Sequence, residues 1–168
     1  MASLLTWKSL IYTKFEIFSE ALKTMKKVRK LHEELSNYKL ETASLYYMGI
    51  FHEMLENYED CLKTHTKVTK RNTKNSFFEE GLKYRSYYHI GKIKYMKKDF
   101  QESSVALVEF CSQYTCRPEI FDAKGSVALL WHFTLKWSAK KFDTKLFFKV
   151  FGIVSKHYVL KLKNSPKN

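Results

Sequence analysis

An internal recurrence constrains this chain more than any other feature. Four aromatic residues, each within two positions of an acidic or amide residue, recur as Phe18, Tyr58, Phe100 and Phe142, at spacings of 40, 42 and 42 residues. Each follows one amphipathic stretch and precedes another. A fixed period of this length marks a stacked array of supersecondary units, because one such unit cannot bury its apolar face alone. Only five Gly and two Pro occur among 168 residues, so helix-length stretches run without breakers. Alternating strand patterns bounded by turn dipeptides are scarce, and the expected class is all-α.

The surrounding positions keep the same register. Tyr47-Met48-Gly49-Ile50 and His89-Ile90-Gly91-Lys92 place a glycine nine residues before Tyr58 and Phe100. Three residues after the first three aromatics stand the small residues Ala21, Cys61 and Ser103, followed seven residues on by Val28, Val68 and Phe110. Small residues in these places let a hairpin's second helix cross closely over its first. Polar turn chemistry falls between the helical stretches, in Leu35-Ser36-Asn37-Tyr38, residues 71–76 and Cys116-Arg117-Pro118. Helices of about fifteen residues fit between them.

This arrangement resembles the tetratricopeptide repeat. Tyr87, Ile90, Gly91, Asp99, Phe100, Ser103 and Leu107 form the clearest copy, and Leu45, Met48, Gly49, Asn57, Tyr58 and Cys61 the next. Ser9 and Phe133 replace the glycine in the first and fourth copies, and Lys145 replaces the small residue in the fourth. The resemblance implies a single domain over 1–168, with repeats near 2–36, 41–75, 82–116 and 122–162. It implies an α-solenoid of three to four antiparallel helix pairs with a right-handed superhelix.

It also implies a concave groove lined by the first helix of each hairpin. The groove residues so identified are Tyr46, Ile50, Met54, Arg85, Tyr88, Lys92, Tyr95 and Trp137. Tyrosine, methionine and tryptophan offer large contact area at modest entropy cost, and Arg85 and Lys92 suit carboxylates. The expected function is a scaffold or adaptor that binds a peptide or helix of a partner protein, acidic segments included. Chaperone-tail clamps of this family need Asn or cations where Leu10, Tyr47 and His89 stand, so that use is not expected.

Charge supplies the rival reading. The chain has 30 basic and 17 acidic side chains, a net +13, and residues 124–168 set ten lysines against Asp143 alone. A basic helical-repeat protein that binds RNA is therefore the alternative. Against it, Lys23, Lys26, Lys27, Arg29 and Lys30 alternate with Leu22, Met25 and Val28 and are followed by Glu33 and Glu34, as on a solvated helix face. The apolar segment from Lys145 through Leu162 either packs against the third repeat or meets a partner, a membrane surface or further repeats. Ala2 to Phe15 reads as a first helix without an upstream cap, so the chain is also readable as part of a larger complex or a longer array.

No uninterrupted apolar run is long enough to span a membrane, and a cytoplasmic or nuclear location is expected. Cys61, Cys111 and Cys116 read as reduced thiols, with Cys61 buried at the helix crossing. The six histidines form no recognisable zinc or triad motif, and no phosphate loop or dinucleotide fingerprint occurs. Enzymatic activity, cofactors and metals are therefore not expected. His65, on a bulky core position of its helix, reads as a packed histidine.

Overall fold

The computed structural model describes residues 1–71 and 77–114, and every regular element among them is an α-helix. In chain order these are α1 (Ala2–Lys14), α2 (Phe18–Glu34), α3 (Tyr38–Met54), α4 (Tyr58–Thr69), α5 (Phe77–Met96) and α6 (Phe100–Tyr114). They pack sequentially as adjacent pairs. The successive pairs span Ala2–Glu34, Tyr38–Thr69 and Phe77–Tyr114. α3 starts three residues before the expected 41 and α5 five before the expected 82. The fourth repeat, with Trp137 and the apolar segment to Leu162, lies outside the described residues.

The turns explain why the aromatics recur. Four helices end with a residue of positive φ that is not glycine: Glu16 (59°), Ser36 (51°), Glu56 (58°) and Lys98 (63°). Each closes its helix with two reversed hydrogen bonds, as when Glu56 N–H donates to the Glu53 carbonyl and Asn57 N–H to the His52 carbonyl. That geometry satisfies the last carbonyls and reverses the chain within three residues. The next residue starts the following helix, and Asn37 Oδ1 accepts from Leu40 N–H at 3.2 Å. Phe18, Tyr58 and Phe100 are each the first residue of a second helix.

Two compact units divide the chain between Ile90 and Gly91, within α5. In the first, Ala21, Leu22, Met25 and Val28 of α2 form a core with Met48 and Phe51 of α3. Leu45, Tyr46, Val68 and Leu82 make a second core from α3, α4 and α5. In the second unit, Ile93 and Leu107 are almost fully buried. There Lys94 bridges Asp99 at 3.2 Å and Glu102 at 2.5 Å, and the Glu102 hydrogen bond leads in holding its amine above the ordinary value.

The small residues act where the register puts them. A Cβ on Gly49 would lie 2.5 Å from the His65 ring, and one on Gly91 2.6 Å from Leu107. Ser9 Oγ donates to the Ala21 carbonyl across α1 and α2 at 3.0 Å, and Ser103 Oγ to the Gly91 carbonyl across α5 and α6 at 2.7 Å. Both bonds join the glycine position to the small-residue position, twelve residues apart, with donor and acceptor exchanged. A methyl added at Gly81 would meet nothing within 4 Å, so alanine there gains only helix propensity. Gly91→Ala is thus expected to cost about 1–3 kcal/mol by overpacking, and Gly81→Ala to stabilise by about 0.5–1 kcal/mol, both read by urea unfolding. Equal effects at the two positions would remove the close-crossing account.

Candidate functional site

The first helices of the second and third hairpins lie side by side. Thr42 Oγ1 of α3 donates to Glu79 Oε1 of α5 at 3.1 Å, and eleven residues further along α3 Glu53 Oε2 meets His89 Nδ1 at 2.6 Å. Both partners advance in the same sense, so α3 and α5 run parallel. Glu79 is in the first turn of α5, where the helix dipole favours a carboxylate.

Between these helices lies a polar cluster that closes over α4. The His89 ring stacks on the His65 ring with centroids 4.7 Å apart and planes 3° from parallel. His65 Nδ1 is 3.1 Å from Ser86 Oγ, and His89 Nε2 is 3.4 Å from Tyr46 Oη. His65 and Ser86 have no exposed surface, Tyr46 is 7% exposed and Glu53 8%. Burial pushes the Tyr46 hydroxyl up to about 12, so it remains a phenol, and the charge of Arg85 opposes that shift. Burial likewise lowers His65 to about 3, with His89 adding to the effect, so its imidazole is neutral. His65 Nε2 has no hydrogen-bond partner and faces Gly49. With Ser86 and His65 enclosed, their pairing joins α4 to α5 out of contact with solvent.

The expected groove residues occupy different depths. Tyr46 is buried in the second core, and Ile50 is half-buried against both cores. Met54 is exposed at the end of α3, Arg85 is exposed on α5, and Tyr88 is half-buried with its ring edge on His89 at 5.4 Å. In the second unit Lys92 is exposed, and Tyr95 is half-buried with its ring 5.7 Å from that of Phe100. Tyr47, not among the expected groove residues, is 37% exposed beside Tyr46, their rings 5.7 Å apart. Sequence reasoning misses the pairing of Glu53 with His89, because residues 36 apart on two helices carry no local signal of contact.

The basic block on α2 is offset by its own helix. Arg29 pairs with Glu33 at 2.7 Å, and Lys23 and Lys30 stand near Glu20 and Glu34 at 3.5 and 3.9 Å. The Arg29 hydrogen bond holds Glu33 below its ordinary value. Arg71 at the end of α4 pairs with the buried Glu41 of α3 at 2.6 Å. Among the described residues no helix is long and apolar enough to cross a membrane, and no group of His, Cys, Asp and Glu is arranged to hold a metal. Cys61 is fully buried where α4 crosses α3.

Compared with protein-family models, curated proteins and solved structures, the chain has no match. The fold class is therefore defined by the packing itself: among the described residues, an all-α array of sequentially paired helices.

Proposed function

We propose that the chain is a tetratricopeptide-like scaffold whose first helices present a surface to a peptide or helix of a partner protein. The parallel packing of α3 on α5 carries this reading, because tandem first helices side by side are the element that such arrays use for binding. Ile50 and Met54 on α3 and Arg85 and Tyr88 on α5 supply apolar contact with a cation for an acidic segment. The polar cluster beneath fixes the two helices in one register. The surface is thereby preorganised, which lowers the entropy lost on binding.

The test is capture from nuclease-treated cell lysate by the full chain and by an Arg85→Ala/Tyr88→Ala variant, followed by mass spectrometry. A protein held by the wild type and reduced at least about tenfold by the double substitution is the expected outcome. Retention of the same proteins by both forms would place binding elsewhere. Loss of all captured proteins after nuclease would favour the RNA-binding alternative, in which the lysines after residue 124 carry affinity and salt weakens it steeply.

A further inference from the structure

The outward side of α1 is the largest run of uncovered apolar side chains among the described residues. Leu4, Trp7, Ile11 and Phe15 follow one another by three, four and four residues, which places them in one stripe. They are 75%, 67%, 54% and 69% exposed. At about 100° per residue, Lys8 borders this stripe on one side and Lys14 on the other, both exposed. α1 holds no acidic residue.

The repeat register shows what such a face accommodates. Forty residues on, Leu4, Trp7, Ile11 and Phe15 correspond to Ser44, Tyr47, Phe51 and Leu55 around α3. There the face is covered in part: Ser44 is 3% and Phe51 1% exposed, with Phe51 packed in one cluster with Leu22, Met25 and Val28 of α2, whereas Tyr47 at its edge is 37% exposed. A neighbouring amphipathic helix therefore covers on α3 the part of the stripe centred on Phe51, whose counterpart Ile11 lies open on α1.

We infer that the outer face of α1 docks an amphipathic helix of a partner protein, seated on α1 as α2 sits on α3 and carrying acidic residues along its flanks. The lysine borders select the acidic flank. They also disfavour a second copy of this chain, which would set lysine against lysine in a two-fold contact. Ile11, at the centre of the stripe and in register with the buried Phe51, is the expected anchor, with Trp7 beside it at the Lys14 edge.

The experiment uses the full chain and two synthetic peptides spanning Ile17–Leu35 of α2. One has the native sequence, and the other carries Lys23→Glu, Lys26→Glu, Lys27→Glu and Lys30→Glu. Calorimetric titration is expected to show the acidic peptide binding at least about tenfold more tightly than the native one. A Trp7→Ser/Ile11→Ser chain, with unchanged far-ultraviolet circular dichroism, should lose at least about tenfold of that affinity, whereas Arg85→Ala/Tyr88→Ala should not. Equal binding of the two peptides, or an unchanged titration with the Trp7/Ile11 variant, would overturn the inference. So would self-association of the full chain in sedimentation that Trp7→Ser/Ile11→Ser abolishes, because the occupant would then be a second copy. Binding to phosphatidylserine vesicles, with neither peptide bound, would equally overturn it in favour of a membrane surface.

Discussion

Glu53→Leu is expected to destabilise the chain by about 3 kcal/mol, because it removes the carboxylate that holds His89 and leaves a ring N–H in a largely closed site. Glu53 Oε2 lies 2.6 Å from His89 Nδ1, and the Glu53 and His89 side chains are 7% and 16% exposed. The loss extends beyond one bond. His89 also stacks on His65 and meets Tyr46 through Nε2, so the carboxylate orients a ring on which two other contacts depend. Glu53→Gln retains an acceptor for the same N–H and is expected to cost about 1 kcal/mol. In the double variant Glu53→Leu/His89→Leu both polar partners are gone and the helices meet through apolar groups, which should recover at least about 1 kcal/mol. Urea unfolding monitored by circular dichroism gives all three values. If Glu53→Leu were neutral, the parallel pairing of α3 and α5 would rest on Thr42 with Glu79 and on the apolar contacts.

Much of the fold was legible because packing restricts residue size at particular positions. Ser9, Gly49 and Gly91 stand where a second helix crosses, twelve residues before Ala21, Cys61 and Ser103, and side-chain volume in such places is set by the backbone separation. The turns were legible by location but not by conformation, since the positive-φ residues are Glu, Ser and Lys, none of which signals a left-handed position as glycine does. The candidate site was legible only in part. A first-helix position specifies which side of a hairpin a residue occupies, but not how deeply its neighbour covers it. Tyr46 and Tyr47 are adjacent in sequence, yet one is sealed into the α3, α4 and α5 core while the other reaches solvent. Likewise Leu4 and Ser44 share a register, yet one is 75% exposed and the other 3%.

Acid should expose the cost of enclosing His65. Burial, followed by repulsion from His89, lowers its pKa from the ordinary 6.5 to about 3, so between these values the unfolded chain binds a proton that the folded chain refuses. This residue's contribution is therefore complete above about pH 6.5 and is lost as pH falls toward 3. The loss is about 1.4 kcal/mol per pH unit, or about 2 kcal/mol at pH 5. The other copies suggest the compensating change, since Met25 and Leu107 stand at the position of His65 and are 1% exposed. His65→Leu is expected to keep stability near pH 8 within about 1 kcal/mol, because a leucine already packs against the glycine of the third copy and the Ser86 hydroxyl can turn to a carbonyl of its own helix. At pH 5 the same variant should exceed the wild type by about 1–2 kcal/mol. A residual acid limb in the variant is expected from other groups, among them His52, which burial also holds below its ordinary value. Unfolding curves at pH 5 and pH 8 decide the matter. If His65→Leu left the difference between the two pH values unchanged, His65 would not be the group that the fold forbids to charge.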